Sequence, residues 1–365
     1  MYSSKNNQVL QVKNLVIVSI VISGLLFLSI WSPSFIKIFS PFQSYTCPSS
    51  YNAEVLLVNT QLATQQDELE RALSGASMKN KTLIIAILNK AYVEGEKPML
   101  DLFLDSFWVG EDTQFLINHL LLVAMDQIAY DRCMFLRLHC YRLVTDGVDF
   151  GGEKLYMSRD FINMMWRRTL FLAHVLQRGY TFIFTDIDVM WLRNPFLRIP
   201  GNETDDMEIS CDKFGTKQWC RNNLINTGFY FVRSNNKTID LFNKWYISKN
   251  NTKYIGMKEQ DVLKSMIQGG EFKELGLRVS FLDTLYFSGF CENSKRFGLV
   301  TTVHANCCRT INAKVVDLTA VLRDWKKLKE LIVGWKKKKR GETVIGWSDH
   351  KACYNSWRGF NESLA

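Results

Sequence analysis

Three patterns are missing from this 365-residue sequence. No Cys-x-x-Cys repeat occurs among its nine cysteines, which removes the usual thiolate zinc site. No internal repeat or low-complexity linker divides the later part of the stretch from Lys81 to Trp325, so one domain is the economical reading, with two fused lobes as the alternative. An acidic Gly-Asp-x-x-x-Asp motif is absent too, and its absence counts against a phosphotransferase. With 47% hydrophobic and 13% aromatic residues the chain can bury a sizeable core without relying on disulfides.

The formal net charge is +9, but much of the excess lies in "RDWKKLKELIVGWKKKKR", where nine Lys and Arg face two acids. A nucleic-acid partner is therefore not expected, and the run reads as a solvated helix face with a tail. At the other end, "NLVIVSIVISGLLFLSIW" (14–31) is free of charge and long enough to cross a bilayer. That predicts a cytosolic tail at 1–13, a transmembrane anchor at 14–31, a stem at 32–80, a catalytic domain at 81–325 and a basic C-terminal extension at 326–365. Four Asn-x-Ser/Thr triplets, at Asn202, Asn236, Asn250 and Asn361, fit a luminal address and a glycoprotein. In an oxidising lumen most cysteines pair. Cys211 and Cys220 make a reasonable local bridge, and the adjacent Cys307 and Cys308 need different partners.

Between 81 and 185 the chain alternates buried-strand runs with helical patterns. "KTLIIAILNK", "INHLLLVAMD" and "YTFIFTDID" have strand density; "MLDLFLDSFWVG", "QIAYDRCMFLRL" and "RDFINMMWRRTLFLAHVLQRG" have helical spacing, with Asp160 at the start of the last and Gly179 at its stop. This is the grammar of an α/β fold with a mostly parallel central sheet flanked by helices. Later strands are expected in "DMEISCDKF", "NTGFYFVRS" and "LRVSFLDTLYFSGF", and helices in "KTIDLFNKWYISK" and "MKEQDVLKSMIQGG".

The chemistry concentrates at the end of the third strand run, where Asp186 and Asp188 sit two residues apart. If the strand continues through them, both carboxylates share a face and Ile187 opposes them. Two buried like charges need a positive partner, and hard oxygen donors at this spacing suit Mn²⁺ or Mg²⁺ bridging to a diphosphate. The rival readings are a turn cap, a salt bridge to Arg193, or a phosphotransferase in which the first Asp of the Asp-x-Asp pair is the nucleophile.

The stretches "LDLFLDSFWVGEDT", "VAMDQIAYDRC", "GEKLYMSRDFINMMWRR", "FIFTDIDVMWLRNPF", "ISCDKF", "NTGFYFVRSNNKTI", "EQDVL", "FLDTLYFSGFC" and "VHANCC" together resemble the plant nucleotide-diphospho-sugar transferase family. These are Golgi type II membrane glycosyltransferases, including xylosyl-, galactosyl- and arabinosyltransferases that act on cell-wall glycans and glycoproteins. The resemblance implies a GT-A fold, a divalent ion, a UDP-sugar donor, a glycan or glycoprotein acceptor, retention of anomeric configuration and a place in a Golgi enzyme complex. It assigns the metal to Asp186, Asp188 and His304, and places Gln260 and Asp261 near the transferred sugar. Asn226 is a candidate for the sugar hydroxyls, and Gly228 for close backbone approach. Asn89 is a candidate contact to the nucleobase, and Lys154 and Arg168 for diphosphate charge. The alternative in another class is a catalytically inactive glycan-binding or scaffold protein.

Overall fold

A computed structural model describes residues 68–199, 204–215, 217–335 and 346–361. The chain divides into two units, Met1–Leu57 and Val58–Ala365, and all described residues belong to the second. Its strands are β1 (Thr82–Leu88), β2 (Leu120–Ala124), β3 (His139–Arg142), β4 (Thr181–Thr185), β5 (Val189–Trp191), β6 (Met207–Lys213), β7 (Leu224–Val232), β8 (Val279–Phe281), β9 (Phe287–Gly289) and β10 (Thr302–His304). Seven of them form one sheet in the order β3-β2-β1-β4-β7-β6-β8. The sheet is mixed: β7 runs antiparallel to both β4 and β6, and the other pairings are parallel.

Both faces of this sheet are covered, which explains the near-continuous apolar runs. Along β1, Leu83 and Ile85 pack into one core while Ile84, Ala86 and Leu88 pack into the other. The first core receives Phe171, Leu172, Val175 and Leu176 from the helix Arg159–Gln177; the second receives Phe103 and Phe107 from Met99–Val109 and Leu318, Leu322 and Trp325 from Ile311–Trp335. The Arg159–Gln177 helix is capped by Ser158, whose side chain accepts from Phe161 N, rather than by Asp160, because Ser158 has the extended backbone a cap requires. Gly179 takes φ +81° just past its end, where a side chain would be strained.

Several sequence expectations need correction. The segment 14–31 lies outside the described residues, and no helix among the described residues is long and apolar enough to cross a membrane. The expectation of an N-terminal transmembrane helix, and with it a membrane partner, a Golgi complex and single-pass type II placement with a luminal domain, is corrected on that finding. What stands is the α/β domain, with a central sheet that is mixed. The helix at 68–76 buries Leu69, Leu73 and Ala76 in the first core, so ordered packing starts inside the expected stem. At the other end, Ile311–Trp335 runs through residue 325, and the Lys351–Asn361 helix is bound back by a disulfide from Cys353 to Cys308. Among the described residues the other disulfides join Cys133 to Cys140 and Cys291 to Cys307, so the adjacent Cys307 and Cys308 do take separate partners. Cys211 and Cys220 are free: Cys211 is buried within β6, where its side chain packs into the first core.

Candidate metal and donor site

Strand β4 ends at Thr185, and Asp186-Ile187-Asp188 forms a turn rather than more strand. Asp186 N donates to Gly228 O on β7, and Val189 N closes the turn onto Asp186 O at 3.3 Å. The two carboxylates therefore converge through a turn and not through strand alternation. Ile187 still tucks away as expected, 2% exposed in the second core.

His304 arrives by a separate device. Strands β5, β10 and β9 form a small second sheet in which β10 runs antiparallel to β5 with His304 opposite Val189. Ala305 N then donates to Asp188 O at 3.0 Å. This register places His304 Nε2 3.3 Å from Asp188 Oδ1 and 3.9 Å from Asp186 Oδ2. One ligand atom from each of Asp186, Asp188 and His304 falls within 4.8 Å of the others.

The chemistry of this donor set fits a divalent cation, with two hard carboxylates and one imidazole. Gly228 supplies the geometric counterpart. A Cβ there would stand 2.3 Å from His304 Cε1 and 2.6 Å from Asp186 Oδ2, so only a glycine lets β7 pass so near the cluster. Burial alone would lift the Asp188 carboxyl, but Lys314 Nζ at 2.7 Å and His304 reverse that and hold it well below the usual carboxylate range. Burial opposes protonation of His304, yet the Asp188 carboxylate overrides it and raises the imidazole above its ordinary value.

The cluster lies in a cavity of about 280 Å³. Of the candidates named from the sequence, Asn89, Lys154, Arg168, Asn226, Gly228 and Gln260 also line it, and Asp261 does not. Asp261 lies in the first turn of the helix Glu259–Gly269, and partial burial raises its carboxyl. Its neighbour Glu259 faces inward instead. Arg168, 5% exposed, donates to Asp186 Oδ1 at 2.9 Å and to Glu259 Oε1 at 2.6 Å, so the guanidinium fixes Asp186 between two buried elements. Thr227 joins this network by donating to Glu259 Oε1 at 2.7 Å, and its backbone N donates to Gln260 Oε1 at 3.1 Å.

The remaining predicted groups are also held by protein partners. Asn226 Nδ2 donates to Asp212 Oδ1 at 2.8 Å while Asn226 Oδ1 accepts from Gly228 N at 2.7 Å. Asn89 Nδ2 donates to the carbonyls of Phe150 and Gly152, which fastens that loop to the end of β1. Lys154 Nζ sits 3.9 Å from Asp160 Oδ2. Sequence reasoning missed Asp212, Glu259 and Lys314. Asp212 stands in "ISCDKF" and Glu259 directly before Gln260, so both lay within quoted stretches; Lys314 carried no local signal, being one lysine at the start of a long basic helix.

With this geometry, the comparisons with known proteins are informative. The family model described as "Nucleotide-diphospho-sugar transferase" matches residues 115–318. An uncharacterized protein from Arabidopsis thaliana is 56% identical over 82% of this chain and 88% of its own length. A beta-arabinofuranosyltransferase from the same organism is 24% identical over 60% of this chain and 41% of its own. Among solved structures, mouse xyloside xylosyltransferase 1 aligns with a TM-score of 0.39 and 14% identity, covering 63% of this chain and 99% of that one.

Proposed function

The chain belongs to the nucleotide-diphospho-sugar transferase family, and from that premise we propose that it moves a sugar from a UDP-sugar to a hydroxyl of a glycan or glycoprotein with a divalent cation at Asp186, Asp188 and His304. Sugar transfer in general follows from membership. The donor nucleotide, the ion and the stereochemistry are the proposal. The observation that carries it is the convergence of three ligand atoms, two from the turn after β4 and one from β10, on one cavity.

When bound there, Mn²⁺ or Mg²⁺ would supply Lewis-acid neutralisation of the diphosphate. The chain's own groups do the rest. Arg168 holds Asp186 in place, and Lys314 offers a buried ammonium whose affinity for its proton is raised, despite burial, by Asp188. That charge favours a phosphate leaving group as negative charge builds on it. Gln260 and Asn226 present amides along the cavity wall, suited to sugar hydroxyls. Glu259 is tied to Arg168 and Thr227, and one oxygen of Asp212 accepts from Asn226 and Asn306, so both carboxylates are placed to orient rather than to attack. Retention by front-side approach of the acceptor fits this arrangement. The name of the beta-arabinofuranosyltransferase relative favours arabinose as the first sugar to try, ahead of xylose and galactose.

The test is hydrolysis of UDP-arabinose, UDP-xylose and UDP-galactose by the purified chain, with chelator and then with Mn²⁺. Cation-dependent release of UDP, lost in Asp188→Ala and in His304→Ala, is the expected result. Turnover that survives chelation and both substitutions overturns the assignment.

A further inference from the structure

Two partly exposed aromatic rings line the same cavity. Tyr156, in the loop before the Arg159–Gln177 helix, is 38% exposed, and Trp357, on the Lys351–Asn361 helix, is 40% exposed. Their ring centroids lie 6.2 Å apart with the planes at 73°, so they form a corner.

Both rings are held by neighbouring groups of the cavity wall. Trp357 Nε1 donates to Cys307 O at 2.8 Å, and the Arg309 guanidinium lies 5.1 Å over its ring. The helix bearing Trp357 is fastened by the Cys308–Cys353 disulfide and by Asp317, whose carboxylate accepts from Cys353 N at 2.7 Å. Tyr156 packs on Phe161, and its hydroxyl is 3.1 Å from Lys258 Nζ. The polar atoms of both side chains thus have protein partners, Lys258 Nζ also lies 5.1 Å over the Tyr156 ring, and both rings stay partly exposed at the cavity wall. Apolar ring surface held open beside a polar cavity marks a ligand site, since covering it removes that area from water.

The shape of the corner selects the occupant. A flat nucleobase stacks best on one face or between two parallel rings, whereas planes at 73° suit a puckered ring that meets one aromatic with its C–H face and the other with its edge. A sugar has that form, with hydroxyls left to reach polar groups of the cavity such as Gln260 and Asn306. Tyr156, like Asp186, Asp188 and His304, lies within the family-matched span 115–318, and Trp357 lies beyond it on a segment fastened to the site by the Cys308–Cys353 disulfide.

We propose that the Tyr156–Trp357 corner is the subsite for the ring of the acceptor sugar. The inference rests on the proposed transferase reading, and its test separates the two. Binding of methyl glycosides of arabinose, galactose and fucose is measured on the intact chain by saturation-transfer NMR and titration, beside binding of UDP in the presence of Mn²⁺. Wild type is expected to bind at least one glycoside. In Trp357→Ala that affinity falls by about tenfold or more while UDP affinity moves much less, and Trp357→Phe restores most of the loss. Tyr156→Ala provides a second variant on an independent segment. Equal loss of UDP and glycoside binding would place the rings over the donor and overturn the proposal, as would absence of glycoside binding in wild type. Failure of UDP-sugar turnover with glycoside binding intact and sensitive to Trp357 would leave the subsite standing and remove only the transferase reading.

Discussion

The ammonium of Lys314 lies 2.7 Å from Asp188 Oδ2, on a carboxylate whose other oxygen faces His304 Nε2 at 3.3 Å. A divalent cation held by Asp186, Asp188 and His304 would compete with the Lys314 ammonium for the Asp188 carboxylate, and the displaced ammonium would be free to neutralise a phosphate. Lys314→Met is therefore expected to tighten Mn²⁺ binding while lowering kcat for UDP-sugar hydrolysis by about 10²–10³. Calorimetric titration of Mn²⁺ beside steady-state kinetics checks both directions; a variant with weaker metal binding and normal kcat contradicts this role.

Gly228 is tested by the smallest change available. A methyl group there meets His304 and Asp186 at distances no ordinary contact reaches, so the cluster must shift. Gly228→Ala should lose about 1–3 kcal/mol of stability through overpacking and most of its Mn²⁺ affinity. Denaturant unfolding and metal titration read the two effects; wild-type metal affinity would show that the close approach is incidental.

The Arg168–Glu259 pair gives a sharper stability signature, because the side chains are only 6% and 2% exposed. Arg168→Met leaves Glu259 buried without its cation and should cost about 3–5 kcal/mol, whereas the double change Arg168→Met with Glu259→Met should cost much less. A double-mutant cycle by urea denaturation measures the difference. Additive losses would mean that the pair is not energetically coupled.

The Cys308–Cys353 bridge closes a loop with a sequence separation of 45. Cys353→Ser should lower stability by about 2–4 kcal/mol and weaken glycoside binding, since the helix carrying Trp357 loses its fastening. Thermal unfolding and the NMR titration decide it. Unchanged glycoside binding in the folded variant would show that other contacts suffice to hold Trp357.

What the sequence made legible follows from local physics. Strands β1, β2 and β4 are buried on both faces, so their composition alone announces them. The Asp186–Asp188 pair stands out because charge at the tip of such a run demands a partner. The meeting of His304 with that pair came from family resemblance, since β10 is three residues long and its pairing with β5 leaves no periodic trace. Strand alternation failed at Asp186 because the ladder stops at Thr185 and a turn takes over. The proposed Cys211–Cys220 bridge failed for a related reason: sequence proximity says nothing about a thiol that its strand directs into the core. Trp357 was invisible because its significance depends on a long-range disulfide that spacing does not determine.

The short pairing of β5 with β10 carries one more implication. Side chains alternate along a strand, so a slip of a single position would send His304 to the opposite face and dismantle the cation cluster at a stroke. The stretch between the two strands constrains the same cluster, since it carries Gly228 on β7 beside His304 and Asp186, and Glu259, which holds Arg168 against Asp186. A ladder only three residues long thus decides whether the imidazole and the two carboxylates meet at all.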